Sequence, residues 1–430
     1  MARLTENFSE NLWSHTAEPA PDTPQLKGAL RADVTVIGGG YTGLSAALHL
    51  AKRGVDVRVL EAEQPGFGAS GRNNGQVIPA YSRHNPDDIE RVFGKEAGSR
   101  LNDWVAGSAD LVFGLIKLYN IQCEAAQNGW LQPAHRSSRM TGIRKKQSSW
   151  EAAGQPARLL TGQETMELTG SPFYCHGGWI HERGGHIQPL GYARGLARAA
   201  VAEGAKVHGS SAALSVDRVE GRWRVRTAGG YVDSDTIVFA TNGYTGALWP
   251  KLRQTVVPFR TFHAATAPIS DNISQTILPE NHGLSDTRQA LWAFRKDLGK
   301  RLITTAAPLL PMGAREKINT TTKARLREVF PQIGDIEIDH VWEGWIAMTP
   351  ERLPRLHELA GGVFAGMGYS GRGIAMATAM GKSIADRVMG APVHDIAPLP
   401  VPMKVLPMHD VIAPLSRAMI GIYRWKDERD

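Results

Sequence analysis

A glycine-rich turn between a short apolar strand and a helix constrains this chain more than any other feature of its sequence. The turn, residues 38–43, reads Gly-Gly-Gly-Tyr-Thr-Gly and fits the G-x-G-x-x-G pattern. The β-branched, mostly apolar residues 34–37 precede it, which suits a buried parallel strand. Residues 42–52 follow with apolar side chains at helical spacing, and residues 55–60 form a second predicted strand. The sequence therefore predicts a strand–turn–helix–strand unit over residues 32–61.

Each position of that unit has a physical reason to bind a dinucleotide. Gly38 permits the tight turn, Gly40 lets the backbone approach a pyrophosphate, and Gly43 lets the helix pack closely on the strand. The free N–H groups at the helix start, residues 41–42, favour an anion. Glu61 ends the second strand, where its carboxylate would accept hydrogen bonds from the adenosine ribose hydroxyls. An ordinary βα turn with a solvated acid is the alternative interpretation.

The amino-acid composition excludes several classes of protein. Hydrophobic residues make up 42% and charged residues 21% of the 430 positions, which excludes a disordered chain and allows two or three domains. The net charge of +7 favours acidic substrates or surfaces without indicating nucleic acid. Two cysteines argue against a disulfide framework, and no Cys/His spacing indicates a metal site. Because we recognise no leader or membrane-spanning segment, we expect a cytoplasmic protein, with membrane-surface attachment as the alternative. The sequence does not indicate an oligomeric state.

Three later segments place glycines and polar residues beside strand ends. Residues 68–76 read Gly-Ala-Ser-Gly-Arg-Asn-Asn-Gly-Gln, residues 238–243 read Val-Phe-Ala-Thr-Asn-Gly, and residues 366–374 read Gly-Met-Gly-Tyr-Ser-Gly-Arg-Gly-Ile. Together they resemble segments of the D-amino-acid oxidase, glycine oxidase and sarcosine oxidase superfamily. The resemblance implies FAD as the cofactor, with the helix after residue 373 stabilising negative charge on the reduced flavin. A flexible surface loop at 68–76 and simple close packing at 373 are the alternatives.

Shorter matches run along nearly the whole chain, at residues 12–16, 184–190, 257–268, 342–354 and 422–427. In this order they resemble the γ-glutamylputrescine oxidase-like group, which includes bacterial L-pipecolate oxidases, although Asn74 stands where relatives often have glycine. The resemblance implies hydride transfer from the carbon beside a neutral amine to flavin N5, with O2 or a membrane quinone reoxidising the flavin. Neither Cys123 nor Cys175 falls in a matching segment and residues 68–76 contain no histidine, so non-covalent FAD is expected.

The residues assigned to the cofactor lie in the glycine-rich turn, the segments just described and the strand ends beside them. They are Gly38, Gly40, Tyr41, Thr42, Gly43, Glu61, Ala62, Ser70, Arg72, Asn73, Gly75, Gln76, Ala213, Thr241, Asn242, Gly243, Gly368, Tyr369, Ser370, Gly371, Gly373 and Ile374. Ser70 and Arg72 are expected to add hydrogen-bond donors to the pyrophosphate and the ribityl chain. No metal ligand is assigned.

The sequence is less informative about the substrate. A substrate carboxylate would favour an arginine fork, and Arg295 on a predicted strand is our first candidate. The residues predicted at the reacting centre are Arg295, Tyr369, Trp345 and His263, with Arg352, Arg355, Trp342 and His186 as second choices. For each of these side chains an ordinary structural role, such as a surface arginine or a core aromatic, is the alternative.

The predicted fold class is α/β, with a Rossmann-type FAD-binding domain that includes a β-meander and a mixed-sheet α+β substrate domain. The FAD domain is expected at residues 1–84, 184–248 and 350–410, and the substrate domain at 85–183 and 249–349. Residues 411–430 form a predicted terminal helix, which either docks on the protein or contacts a membrane surface. The expected function is oxidation of a small amine or amino acid. A dehydrogenase passing electrons to quinone and a flavin-binding module without turnover are the alternatives.

Overall fold

The computed structural model describes residues 8–290, 292–306, 314–415 and 427. These residues form eleven α-helices and eighteen strands. The helices are α1 Leu12–Thr16, α2 Tyr41–Ala51, α3 Pro86–Phe93, α4 Lys95–Leu118, α5 Met140–Ala152, α6 Gly162–Thr169, α7 Pro189–Ala202, α8 Asp271–Thr276, α9 Ala314–Val329, α10 Gly373–Val388 and α11 His409–Leu415. The strands are β1 Gly28–Ile37, β2 Val57–Leu60, β3 Gln76–Val77, β4 Trp130–Pro133, β5 Ala157–Leu160, β6 Gly178–His181, β7 Gly185–His186, β8 Lys206–His208, β9 Ser215–Val219, β10 Arg222–Thr227, β11 Gly230–Phe239, β12 Val257–Thr266, β13 Gly283–Ser285, β14 Ala293–Lys296, β15 Leu302–Ala306, β16 Ile338–Met348, β17 Arg355–Ala360 and β18 Val363–Met367.

The first sheet has a parallel centre, in the order β18-β11-β1-β2-β8, with β17 antiparallel at one edge. Strands β9, β10 and β11 form the expected antiparallel meander. The carboxyl ends of β1, β2, β11 and β18 lie at one edge of this sheet because the four strands run in the same direction. Open parallel sheets bind ligands at this edge, so the fold gathers the glycine-rich turn, Glu61 and the segments after residues 239 and 367.

The second sheet has the order β16-β12-β15-β14-β13-β4-β6-β5 and is antiparallel except where β13 meets β4. The hairpin expected near residues 292–304 is present as β14 and β15, with Phe294 opposite Thr304. Strands β3 and β7 form a separate two-stranded ladder. Every strand of the first sheet falls in the segments predicted for the FAD domain, and every strand of the second in those predicted for the substrate domain.

Helices α2, α4, α7 and α10 share one apolar core with the first sheet. Val36 of β1 belongs to this core, whereas its neighbour Ile37 belongs to the core on the meander side. Helices α3 and α4, which we predicted within the substrate domain, place Ile89, Leu101 and Val105 in the same core as α2 and α10. The sequence pattern correctly predicts helices here, but it cannot predict which sheet they cover. The domain boundaries remain a prediction.

Strand β1 begins at Gly28, earlier than the apolar run suggests, because its first half pairs with β11 from Gly28 opposite Gly230. The predicted terminal helix is described only as α11 and residue 427, so most of residues 411–430 lies outside the described part. Within the described ranges, no helix is both long and apolar enough to cross a membrane. The same ranges hold no cluster of three or more His, Cys, Asp or Glu side chains suited to a metal ion.

Candidate functional site

A cavity of about 2150 Å³ lies where the edge of the first sheet meets the second sheet. Its volume exceeds the roughly 300–1,000 Å³ of ordinary small-molecule pockets, so it has room for a dinucleotide and a substrate together. Most of the residues that we assigned to a cofactor line it. These are Gly38, Gly40, Tyr41, Thr42, Glu61, Ala62, Ser70, Arg72, Asn73, Gly75, Gln76, Ala213, Thr241, Asn242, Tyr369, Ser370, Gly371, Gly373 and Ile374.

Three assigned glycines lie behind the cavity wall and shape it by close packing. A Cβ on Gly43 would lie 2.0 Å from the Gly38 carbonyl oxygen, so only glycine lets α2 approach β1 this closely. Gly368 has a φ of +84°, and its Cβ would lie 2.4 Å from the Thr349 methyl group. A Cβ on Gly243 would lie 3.2 Å from the Trp345 carbonyl oxygen. Their close packing positions the turns, and their assignment to the cofactor remains a prediction.

The turn between β1 and α2 has the geometry of an anion site. Gly38 has a φ of +109°, and Gly40 is the N-terminal cap of α2, with a Cβ position only 2.9 Å from Ser70 Oγ. One carboxylate oxygen of Glu61 accepts a 2.6 Å hydrogen bond from Gly39 N, and the other accepts one from Glu63 N. Burial raises the pKa of the Glu61 carboxyl above its usual value, against the effect of these two donors.

Residues 68–76 are hydrogen-bonded to the start of α2. Tyr41 N donates to Ser70 Oγ at 3.0 Å, and the Tyr41 hydroxyl lies 2.5 Å from Ser70 O. The Asn73 amide nitrogen donates to Ser70 O and Ala69 O, and its oxygen accepts from Gly75 N. These hydrogen bonds hold the loop in the wall of the cavity, which favours a role in the site over a flexible surface loop.

Arg72 differs from our expectation of a pyrophosphate donor. Its side chain is 3% exposed, with Nε donating to Phe67 O and Nη1 to Glu343 O on β16. Its guanidinium carbon lies 4.8 Å from the centre of the Phe67 ring. Because these contacts occupy the guanidinium, Arg72 joins the loop to the second sheet and positions the wall instead of reaching a phosphate.

The turn after β18 closes the cavity against α2. Tyr369 is 4% exposed, its hydroxyl lies 2.5 Å from Thr42 Oγ1, and burial raises the pKa of its phenol well above the usual value. Asn242 Oδ1 accepts a 2.9 Å hydrogen bond from Gly368 N, which links this turn to the end of β11. Helix α10 begins at Gly373, and its first residues line the cavity. Its N-terminal N–H groups suit a site of negative charge.

Two independent features test whether a flavin dinucleotide fits here. Gly40 leaves a space at the start of α2 that a Cβ would fill, as a pyrophosphate-binding turn requires. Asn74 is 9% exposed and lines the cavity, yet within the described part of the chain neither its Oδ1 nor its Nδ2 has a hydrogen-bond partner. Since buried amides are normally paired, Asn74 is suited to a ligand's polar atoms. The residues present therefore fit FAD.

His263 and Trp345 reach the cavity from the second sheet, as expected. His263 is 6% exposed, and its Nδ1 has no hydrogen-bond partner among the residues the structure describes. Burial lowers the pKa of its imidazole to about 4, so the ring is neutral near pH 7. Trp345 is half-buried on β16 and forms part of the lining. Trp342, three residues before Trp345 on β16, lies opposite His263 and packs against it but does not line the cavity.

Arg295 does not reach the cavity, so our first choice for a carboxylate ligand is corrected. The side chain is fully buried behind Gly75, with Nε donating to Asn74 O and Nη1 to Lys296 O. His186 Nδ1 lies 3.1 Å from Nη1, and burial together with this arginine lowers the pKa of His186 to about 3. All four residues of β14 are buried, so the strand pattern could not distinguish the cavity side from the core.

The two second-choice arginines, Arg352 and Arg355, differ in whether they line the cavity. Arg355 is 7% exposed, donates to Thr255 O at 3.0 Å and pairs with Glu351, and it does not line the cavity. Arg352 lines the cavity with a φ of +60°, and its Nη1 lies 3.0 Å from Met348 Sδ. His186 likewise lies outside the lining.

Arg372 and Lys146 are among the charged cavity residues that the sequence analysis missed. Arg372 lies inside the turn that precedes α10, where the glycine pattern drew attention to the backbone and not to the side chain. Lys146 belongs to α5, in the run of residues 144–146, which reads as a solvated helix face. Only the meeting of the two sheets brings both side chains to the same cavity.

Comparisons with known proteins agree with this geometry. A family model described as DAO, FAD dependent oxidoreductase, matches residues 33–387. Gamma-glutamylputrescine oxidoreductase of Escherichia coli (strain K12) is 32% identical over 390 residues, which is 90% of each chain. The probable oxidoreductase OrdL of Rhizobium meliloti (strain 1021) is 33% identical over 378 residues, or 87% of each chain. Glycine oxidase from Geobacillus kaustophilus shares the fold, with a TM-score of 0.71 at 19% identity over 88% of this chain and 100% of that one.

Proposed function

The chain belongs to the DAO family of FAD-dependent oxidoreductases, and on that premise we propose that it oxidises the carbon–nitrogen bond of a small amine or amino acid to an imine. FAD is the cofactor. The observation that carries the proposal is that one large cavity is lined both by the dinucleotide turn and by side chains of the second sheet. A cyclic imino acid such as L-pipecolate and a γ-glutamylated amine are the substrates we propose to test first; the name of the Escherichia coli relative supports the second.

We assign each part of the cofactor to a different set of residues in the chain. We propose that the amides at the start of α2, residues 40–42, bind the pyrophosphate, and that Glu61 accepts the ribose hydroxyls. The N–H groups at the start of α10 would stabilise negative charge on the reduced flavin. When bound, FAD supplies a hydride acceptor at flavin N5 and passes two electrons on to O2, which yields H2O2.

The second sheet would then hold the amine for reaction. A substrate must present its C–H bond to the flavin with the nitrogen deprotonated, since the nitrogen lone pair forms the imine as the hydride leaves. His263 is neutral near pH 7 and can accept a hydrogen bond from the amine without adding positive charge. Trp345 and Tyr369 supply apolar walls that orient the substrate and exclude water. The imine carbon afterwards takes up water and its bond to nitrogen breaks, which yields the carbonyl product and frees the nitrogen as an amine or ammonia.

Anaerobic mixing of the FAD-loaded protein with single amines tests this function directly. The panel contains L- and D-amino acids, proline, pipecolate, sarcosine and γ-glutamylputrescine, with the matching 2-hydroxy acids as controls. We expect at least one amine to bleach the flavin absorbance while its hydroxy analogue does not. If no amine bleaches the flavin, the protein binds FAD without amine turnover and the proposal fails.

Adding an electron acceptor to the reduced protein distinguishes an oxidase from a dehydrogenase. We propose the oxidase, so O2 should restore the flavin absorbance rapidly with one H2O2 formed per amine oxidised. Restoration by a soluble quinone analogue but not by O2 would replace the oxidase with a dehydrogenase while leaving the amine chemistry intact.

A further inference from the structure

Asn74 lies in the cavity wall with a side-chain amide that no described residue satisfies. The residue is 9% exposed and lines the cavity. Both polar atoms of the amide, Oδ1 and Nδ2, are buried without a hydrogen-bond partner among residues 8–290, 292–306, 314–415 and 427. Buried side-chain polar atoms normally have a partner, and a buried amide without one is destabilising. The amide is therefore available to a group that enters the cavity.

Hydrogen bonds fix the backbone on both sides of the Asn74 side chain. Trp13 Nε1 donates to Asn73 O at 2.9 Å, and Arg295 Nε donates to Asn74 O at 2.8 Å. Gly75 N donates to Asn73 Oδ1 at 2.9 Å. Trp13 and Arg295 are themselves fully buried, so neither donor can easily move away. The position of Asn74 is therefore set before a ligand binds, and only rotation of its own side chain remains.

Asn74 lies toward the end of its loop that adjoins the second sheet. At the other end, Ser70 Oγ accepts a hydrogen bond from the start of α2, where we propose the pyrophosphate. Gln76 Oε1 accepts a 2.9 Å hydrogen bond from Trp130 Nε1 on β4. The Trp130 ring centre lies 5.3 Å from the guanidinium carbon of Arg372, in the turn before α10. The loop thus runs from the proposed pyrophosphate toward the turn beside which we propose the flavin, and Asn74 is nearer the flavin end.

The chemistry of an amide matches the polar edge of a flavin ring. Along that edge N1, O2, O4 and N5 of the oxidised ring accept hydrogen bonds, and N3–H donates one. An asparagine amide offers donors and an acceptor on one planar, uncharged group. Reduction places negative charge on the ring, and a hydrogen bond to an ionised acceptor is about twice as strong as one to a neutral acceptor. A donor at this edge therefore stabilises the reduced flavin more than the oxidised flavin.

We propose that the Asn74 side-chain amide donates a hydrogen bond to the polar edge of the flavin and raises the reduction potential of the bound cofactor. The protein supplies no described partner for this amide, and the fixed backbone holds it at the cavity surface. The inference rests on the proposed placement of FAD in this cavity and does not depend on which amine is oxidised. Asn74 thereby makes the flavin a better hydride acceptor.

The midpoint potential of the FAD-loaded protein tests this contact without any substrate. It is measured by equilibration with a reference dye, and the Kd of oxidised FAD is measured by equilibrium dialysis. Asn74→Leu keeps nearly the same side-chain shape and removes both polar atoms. We expect it to weaken the binding of reduced FAD about tenfold relative to oxidised FAD, which for a two-electron couple is a fall of about 30 mV in the potential. An unchanged potential in Asn74→Leu would overturn the proposal.

Further variants distinguish the hydrogen bond from packing of the wall. Asn74→Gly removes the whole side chain and should lower the potential as Asn74→Leu does, so it carries the test if the leucine variant does not fold. Asn120→Gly is its matched control, at an exposed position with a φ of +50° outside the lining. Ile78→Val removes one methyl group from a buried lining residue without removing a polar atom. Both controls should keep the wild-type potential. An equal fall in Ile78→Val would show that packing sets the potential and would refute the contact.

The results separate this proposal from those made above. If Asn74→Leu lowers the potential of a flavin that no amine reduces, the contact stands and amine oxidation is rejected. If Asn74→Leu keeps the potential and changes only the rate at which an amine bleaches the flavin, the amide contacts the substrate and the proposed contact is wrong. If the potential is unchanged and Gly40→Ala also binds FAD like the wild type, the placement of the cofactor in this cavity fails as well.

Discussion

The Tyr369 hydroxyl lies 2.5 Å from Thr42 Oγ1, and this hydrogen bond joins the turn after the last strand of the first sheet to the first turn of α2. The two residues are 327 positions apart in the chain. Both side chains are buried and both line the cavity. The pair therefore fixes the relative position of the two turns that we propose to hold opposite ends of the cofactor.

A double-mutant cycle on Thr42 and Tyr369 measures this link. Thr42→Val leaves a buried phenol unpaired and should lower the free energy of unfolding by about 1–3 kcal/mol. Tyr369→Phe should cost about 1 kcal/mol, and the double variant should cost less than the sum because no polar group is then left unpaired. Urea denaturation of the four proteins gives the coupling. Strictly additive losses would show that the two side chains do not stabilise each other.

Gly40 provides a test of the dinucleotide turn. A methyl group at this position would lie 2.9 Å from Ser70 Oγ, the acceptor of the Tyr41 N–H, and would enter the space left for a pyrophosphate. We expect Gly40→Ala to fold but to bind FAD about tenfold or more weakly, as judged by equilibrium dialysis.

Gly114→Ala is the matched control for that variant. Gly114 is exposed within α4, and a Cβ there meets nothing within 4 Å. This substitution should leave FAD binding unchanged and stabilise the protein by up to about 1 kcal/mol through helix propensity. If Gly40→Ala retains wild-type FAD affinity, the pyrophosphate does not rest on the start of α2.

His263 predicts a pH dependence of stability. Its pKa is about 4 in the folded protein, against 6.5 for the free side chain, because burial disfavours the charged imidazole. The unfolded chain therefore binds more protons between pH 6.5 and 4, and stability falls as the pH falls through this window. Between pH 7 and 5 the contribution of His263 is about 2 kcal/mol.

Urea denaturation of His263→Asn at pH 7 and pH 5 checks this contribution. The variant should lose about 2 kcal/mol less than the wild type on acidification. His394→Asn, which alters a side chain 78% exposed, serves as the control and should follow the wild type. An identical pH dependence in all three proteins would mean that His263 is solvated when the protein is folded.

The dinucleotide half of the site was predictable because it depends on local constraints. Positive φ angles and close backbone approaches require glycine whatever the rest of the fold, so Gly38, Gly43 and Gly368 can be recognised in the sequence alone. Glu61 follows from the length of a strand–helix–strand unit. The family resemblance placed the later turns, and the sheet topology then brings all of them to one edge.

The substrate half was less predictable because it depends on which faces of two sheets meet. Arg295 follows a phenylalanine on a strand, but β14 is buried on both faces and the arginine points into the core. Lys146 belongs to a run of three cations that is indistinguishable from a solvated helix face. Arg72 was correctly placed at the cavity, yet only its contacts with Phe67 O and Glu343 O reveal that it is a positioning residue.

A crystal structure of the FAD-loaded protein tests the central claim most directly. We predict the pyrophosphate against the amides of residues 40–42 and the flavin beside the turn that contains Tyr369. A dinucleotide bound elsewhere, or a flavin distant from Tyr369, would contradict the account.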